Sequence, residues 1–214
     1  MIISSGRRYI FVHIPKTGGT ALSLALEGRA RADDILLGDT PKAKRRRHRL
    51  KGVQAAGRLW KHSTLADIDG LVPAEQIKDS FCFTLVRNPW DRMVSYYHWL
   101  RGQGFDHPAV GLAKALSFSE FLNHPQTQAS LRAWPCGRYM RDAGGVERCN
   151  AFIRIEHFDE DANPFWAHLG FRLDLERVNA SDRRTDYRGY YTQADAAMLA
   201  ELCAEDIERF EYTF

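Results

Sequence analysis

The residues best suited to chemistry lie near the start of the chain, in the stretch PKTGGT at positions 15–20. Paired glycines let a backbone approach a phosphate closely, a lysine adds a positive charge, and a threonine adds a hydroxyl donor. The usual nucleotide-binding loop places its lysine after the glycines, whereas here it precedes them. The candidate anion-binding residues are Pro15, Lys16, Thr17, Gly18, Gly19 and Thr20.

A second candidate anion site follows the apolar run at residues 81–86. A magnesium-dependent phosphotransferase usually carries an acidic residue at the end of such a strand. Arg87 stands there instead, and Ser95 follows eight residues later. A guanidinium can form two hydrogen bonds to a phosphate, and a serine hydroxyl can donate another. These residues favour a second anionic group of the ligand over a metal ion, although a structural ion pair of Arg87 is the alternative.

Both candidate sites follow stretches with the character of buried β-strands. Residues 8–14 are rich in β-branched and aromatic side chains and end before Pro15, and residues 81–86 form a continuous apolar run. Such runs are typical of parallel strands that are covered on both faces. Residues 151–155 have the same character and predict a third strand.

Helix signals follow these strands. A helix is predicted over 20–26 before Gly28, and another continues from the Asn88 cap and Pro89 to residue 101. Further helices are expected over 159–169 and from the capping box that begins at Thr192. Residues 29–58 are predicted to be mostly loop with room for a short helix. The strand-helix alternation predicts an α/β fold of three layers, resembling P-loop proteins, with a parallel sheet flanked by helices. One domain over residues 1–214 is expected.

The composition is that of an ordinary soluble globular protein, with 44% hydrophobic and 27% charged residues. Its apolar stretches are too short to cross a bilayer, and the first residues lack the features of a secretory signal. A cytoplasmic location is therefore expected. The four cysteines form no metal-like pair and predict thiols, with Cys136 and Cys149 as the pair to consider if any disulfide forms.

Positive charge is concentrated in the stretch PKAKRRRHRLK, residues 41–51, which we call the basic segment. It holds seven lysines or arginines and one histidine, although the formal net charge of the chain is only +3. Such a run is either a solvated, mobile loop or an element that attracts anions. The rest of the chain is near neutral and has no nucleic-acid-binding signature, so no nucleic acid partner is expected.

The two phosphate motifs resemble those of sulfotransferases that use 3′-phosphoadenosine-5′-phosphosulfate (PAPS), in particular the branch with carbohydrate and bacterial enzymes. HIPKTGGT is similar to the 5′-phosphosulfate loop of that family, and LVRNPWDRMVSYYHW to its 3′-phosphate motif. The resemblance continues in FIRIEHF, VNASDRRTDYRGYYT and DIERFEYTF. It implies transfer of a sulfuryl group to an acceptor hydroxyl, without a metal, leaving adenosine 3′,5′-bisphosphate. The acceptor it favours is a carbohydrate.

The resemblance also implies roles for individual residues. Lys16 is expected to stabilise the leaving phosphate, and His62 is the candidate general base, with Lys61 assisting. The family closes a loop over the 3′-phosphate or adenine in a segment that here contains Arg183, Arg184, Tyr187 and Arg188. Among these, Arg184 and Arg188 are the predicted donor-binding residues, with a solvated basic loop as the alternative.

Two other functions compete with this interpretation. A metal-dependent kinase with a P-loop would require magnesium and an acidic ligand for it. A non-catalytic module that binds polyanions through the basic segment would bind in a salt-sensitive manner and independently of Lys16.

Overall fold

The computed structural model describes residues 1–175, 184 and 186–214. Two compact units make up the chain. The first unit consists of Met1–Val86 and Cys136–Val178, and the second consists of Arg87–Pro135 and Asn179–Phe214. The expectation of one domain over residues 1–214 stays a prediction.

A five-stranded sheet forms the centre of the first unit. Its strands follow the spatial order β3-β1-β2-β4-β5. Three of them, β2, β4 and β5, are parallel neighbours, and helices flank the sheet, so the α/β class is confirmed. The strands are β1 (Ile2–Ser4), β2 (Tyr9–Val12), β3 (Ile35–Leu36), β4 (Phe81–Val86) and β5 (Ala151–Arg154).

The sheet is mixed rather than wholly parallel, because β1 runs antiparallel to both β2 and β3. Only residues 5–8 join β1 to β2, and Arg8 in this turn has a φ of 52°. A connection of this length can join antiparallel strands, whereas parallel neighbours need a long crossover. The short turn therefore sets the direction of β1.

The first unit contains six helices among its described residues, and two of them cover one face of the sheet. Leu22 of α1 and Phe165 of α10 pack in one buried cluster with Phe11 and Phe83. The rings of Phe83 and Phe165 stack with their centroids 3.9 Å apart. The helices are α1 (Gly19–Gly28), α2 (Pro41–Arg46), α3 (Ala74–Asp79), α8 (Cys136–Tyr139), α9 (Phe158–Asp161) and α10 (Asn163–Leu169).

The helix predicted over residues 159–169 is divided into α9 and α10. Pro164 stands in the first turn of α10. Proline has no backbone N–H and clashes with the carbonyl four residues earlier, so a continuous helix is disfavoured here. The chain restarts its helix after Ala162 instead.

The second unit is helical. Asn88 caps α4, since its side-chain oxygen accepts hydrogen bonds from the N–H groups of Trp90 and Asp91. The helix predicted from Thr192 onward is interrupted at Cys203. The helices are α4 (Pro89–Arg101), α5 (Pro108–Ala115), α6 (Phe118–Asn123), α7 (Pro125–Ala133), α11 (Gln193–Leu202) and α12 (Ala204–Phe210). Across the described ranges of the chain, none of the helices combines the length and the apolar character needed to cross a membrane.

All four cysteines carry thiols, as the sequence predicts. Burial raises the pKa of the Cys82 thiol to about 12. It also raises the pKa of the Cys203 thiol to about 12. Both thiols are therefore protonated near neutral pH, which makes them poor nucleophiles.

Candidate active site

The conformation of the loop between β2 and α1 depends on positive φ angles and on a hydrogen bond within the loop. Lys16 and Gly18 have φ angles of 66° and 79°, a backbone region that glycine adopts readily and lysine only at a cost. Thr17 is buried, and its hydroxyl donates to the carbonyl oxygen of Ile14 at 2.9 Å. The hydroxyl proton of Thr17 is thus engaged within the loop, and any donation to an anion falls to its backbone N–H.

The start of α1 has the features of an anion site. Gly18 is the residue before the helix and brings no side chain that could accept from the first N–H groups. The first turn of α1 contains no acidic residue, and Thr20 lies in it, half-buried. Unsatisfied amides and the helix dipole both favour negative charge at such a terminus.

The buried side chain of His13, just after β2, connects this helix start to the sheet. Its ring stacks on Phe11 with centroids 5.9 Å apart. A Cβ atom on Gly19 would lie 2.3 Å from Cδ2 of His13, so the imidazole fills the space that a side chain at Gly19 would need. Burial holds the pKa of His13 well below its usual value, and the positive charges of Lys61 and Lys16 act in the same direction. His13 is therefore neutral near pH 7.

His62 lies beside the loop, although 48 residues separate it from His13. Its Nδ1 is 2.7 Å from the backbone carbonyl oxygen of His13, and the two imidazole centroids are 4.8 Å apart. A carbonyl oxygen can only accept, so Nδ1 must carry the proton. In neutral His62 the lone pair then resides on Nε2, which is the arrangement that a general base requires.

Trp60 accompanies His62, and sequence analysis does not single it out. The indole and imidazole centroids lie 5.0 Å apart with their planes at 87°. Arg58 places its guanidinium 5.0 Å from the centroid of the indole. The only local sequence signal is an aromatic residue two positions before His62.

Lys61, expected to assist charge stabilisation, forms an ion pair with Asp39. The Nζ–Oδ2 distance is 3.1 Å, and Arg47 approaches the other oxygen of Asp39 at 3.4 Å. Burial alone would raise the pKa of Asp39, but the hydrogen bond and charge of Lys61, together with Arg47, outweigh it and lower that pKa. Asp39 therefore links the segment that carries His62 to the basic segment.

The basic segment is largely helical. It forms α2 and a 3₁₀ turn over Arg47–Leu50. Arg46 donates to the carbonyl oxygens of Arg31 and Asp34 at 2.8 and 3.1 Å, and Lys42 donates to that of Glu27. Lys42 and Arg46 thus bind backbone carbonyls in the last turn of α1 and in the chain that follows it, while Lys44, Arg45 and Lys51 are exposed.

In the second unit, Arg87 adopts the ion pair that the sequence leaves open. Its Nε and Nη2 both donate to Oδ2 of Asp91, at 2.8 and 2.5 Å. Ser95 lies further along α4 and is buried. The pair orients the guanidinium at the start of α4, so its presence is compatible with both the structural and the phosphate-binding role.

The segment that contains Tyr187 approaches the start of α4. The side-chain amide of Asn88 donates to the Tyr187 hydroxyl at 3.3 Å and to the carbonyl oxygen of Thr213 at 2.9 Å. Arg188 pairs with Asp186 at 3.7 Å and lies over the ring of Tyr187. Arg184 is exposed, and Arg183 lies outside the described residues. Tyr187 therefore contacts the Asn88 cap of α4, while the role of this segment in donor binding stays a prediction.

Among models of known protein families, the one described as the sulfotransferase family matches residues 1–213, which agrees with the motifs. Among solved structures, mouse sulfotransferase SULT7A1 complexed with PAP matches with 18% sequence identity, over 98% of this chain and 87% of that one, at a TM-score of 0.47. A search of curated proteins gave no match. Because the family model spans nearly the whole sequence, the chain belongs to the sulfotransferase family.

Proposed function

We propose that this sulfotransferase moves a sulfuryl group from PAPS to a hydroxyl group of a carbohydrate acceptor. One observation carries the proposal: His62 lies beside the β2–α1 loop with its Nδ1 on the His13 carbonyl oxygen, 2.7 Å away. This contact gives His62 the tautomer of a base next to the loop that is suited to a phosphate. The cytoplasmic location stays a prediction from the sequence.

In the proposed reaction, Nε2 of His62 takes the proton of the acceptor hydroxyl as its oxygen attacks sulfur. A new S–O bond forms, the bond from sulfur to the bridging phosphate oxygen breaks, and adenosine 3′,5′-bisphosphate leaves. Negative charge grows on that bridging oxygen, and the ammonium group of Lys16 stabilises it. The amides at the start of α1 hold the 5′-phosphate. The proposal requires no metal.

We assign the 3′-phosphate of the donor to Arg87 and Ser95, with Arg184 and Arg188 as further contacts. The Arg87 guanidinium donates through Nε and Nη2 to Oδ2 of Asp91. A carboxylate partner fixes the plane of the guanidinium, which lowers the entropy cost of gripping a phosphate.

The first test is calorimetric titration with adenosine 3′,5′-bisphosphate in the presence of EDTA. The wild-type chain should bind. Arg87→Ala should raise Kd by about 10- to 100-fold, which corresponds to the loss of a hydrogen bond to a charged group. Arg148→Ala is the matched control, because Arg148 Nε pairs with Asp142 at the same 2.8 Å in the first unit. Its affinity should equal that of the wild type.

The same titration with ATP, with and without magnesium, separates the alternatives. Binding of magnesium-ATP in place of the bisphosphate would contradict the proposal and favour a kinase. Binding of polyanions alone, unaffected by Lys16→Ala, would favour the non-catalytic module.

A further inference from the structure

The indole of Trp60 is among the exposed large hydrophobic side chains, with 40% of its surface accessible. The backbone turn that carries it is nevertheless held in place. The backbone N–H of Trp60 donates to Oγ of the buried Ser63 at 2.9 Å, and that hydroxyl contacts the backbone carbonyl oxygens of Arg58 and Trp60 at 2.8 and 2.9 Å. An exposed aromatic ring on a turn pinned in this way loses little freedom when a ligand covers it.

The surroundings of this ring indicate the kind of ligand that it suits. The imidazole of His62 lies 5.0 Å away, and the Arg58 guanidinium lies over the indole. Lys61, between Trp60 and His62 in sequence, adds a further charge that is paired with Asp39. The indole is thus an apolar surface bordered by polar and charged donors. Such a surface suits a ligand ring that has a C–H face and a polar rim. A pyranose has both, because its C–H face suits the indole and its hydroxyl groups suit the polar and charged rim.

We infer that Trp60 positions the acceptor: a sugar ring packs on the indole and presents one hydroxyl to His62. This inference rests on the proposed function and names a residue that selects its substrate. Because the indole contacts the imidazole, a ring held on it lies within reach of the base, and the acceptor is oriented before proton transfer. Trp60 is thus a positioning residue for the acceptor, and it has no part in binding the donor.

The test measures transfer of labelled sulfate from PAPS to cellohexaose, chitohexaose and a heparosan hexasaccharide, with 2-naphthol and tyrosine methyl ester as phenolic probes. Wild type is compared with Trp60→Ala, Trp60→Phe and Trp134→Ala. Trp134 is the matched control because it is also 40% exposed, in the second unit. Circular dichroism and the affinity for adenosine 3′,5′-bisphosphate establish that each variant is folded and binds the donor product.

The expected result is transfer to a sugar, with KM for that sugar raised about tenfold in Trp60→Ala and kcat changed much less. Trp60→Phe should recover part of the loss, and Trp134→Ala should match the wild type. An unchanged KM in both Trp60 variants would overturn the inference. So would transfer confined to the phenols, or transfer to none of the sugars by a chain that binds the bisphosphate. Failure to bind the bisphosphate would instead refute the proposed function, and the inference with it.

Discussion

The contact between Gly19 and His13 makes Gly19→Ala the most discriminating substitution in the loop. A Cβ atom at position 19 would lie 2.3 Å from Cδ2, 2.6 Å from Nε2 and 2.9 Å from Cγ of the imidazole. Favourable contacts between carbon atoms lie at about 3.5–4.0 Å, so the ring or the helix must move by roughly 1 Å. The ring cannot move easily, because it is buried and stacks on Phe11.

Overpacking of this kind costs about 1–3 kcal/mol of folding free energy. In a chain of 214 residues, each kcal/mol lowers the thermal midpoint by about 2–4 °C, so Gly19→Ala should melt about 2–12 °C below the wild type. A displaced His13 also moves the carbonyl group that holds His62. Turnover should therefore fall along with stability.

The assay is thermal unfolding, with Gly28→Ala as the matched control at the other end of α1. A Cβ atom at Gly28 would meet nothing within 4 Å. Alanine there should leave the midpoint unchanged or raise it slightly. It lowers the conformational entropy of the unfolded chain, which stabilises the folded protein by about 0.4–1 kcal/mol.

A double-mutant cycle checks the cause. His13→Ala removes the ring, so it should cost less stability in the Gly19→Ala background than in the wild type, with a coupling of about 1 kcal/mol or more. Equal midpoints for Gly19→Ala and Gly28→Ala, or a cycle with zero coupling, would refute the packing argument.

Three further predictions concern charge. Lys16→Ala and Lys16→Gly should both lose affinity for adenosine 3′,5′-bisphosphate by calorimetry. The free energy of unfolding of Lys16→Gly should be about 1 kcal/mol higher than that of Lys16→Ala, because the φ of 66° suits glycine. His62→Ala should lower kcat by about 10²-fold or more with bisphosphate affinity unchanged; His48→Ala, whose Nδ1 also contacts a carbonyl oxygen at 2.9 Å, should leave kcat intact. Hydrogen bonds from Arg154 lower the pKa of Asp161. The contribution of ionised Asp161 to folding stability is complete above the ordinary pKa of 3.8 and is lost as pH falls through the lower pKa of the folded state. Asp161→Asn should therefore have a lower thermal midpoint than the wild type at pH 6, and this difference should shrink below pH 3.8.

The strand-loop-helix units could be predicted from sequence because their signals are local. The apolar runs of β2 and β4 and the Asn88 cap appear where the sequence places them, and the family indicated by the motifs is confirmed. The strands β1 and β3 span only three and two residues. Runs that short carry no periodicity to detect.

Long-range contacts explain what the sequence does not indicate. The cations of the basic segment suggest a solvated run, yet Arg46 donates to carbonyl oxygens at positions 31 and 34. Thr40 and Pro41 do begin a helix by local rules, since the Thr40 hydroxyl accepts from the N–H of Ala43. Likewise, no spacing rule places His62 against the His13 carbonyl; the resemblance alone selected it.

The two glycines of the loop have different reasons to be glycine. Gly18 is exposed and has a φ of 79°, so it serves the backbone conformation and the open approach that an anion needs. Gly19 is buried, and the space beside it belongs to the ring of His13. The backbone carbonyl of His13 also holds His62. His13 therefore contacts both the start of α1 and the candidate base. Substitution of Gly18 should therefore affect donor affinity first, whereas substitution of Gly19 should reach the proton transfer through His13.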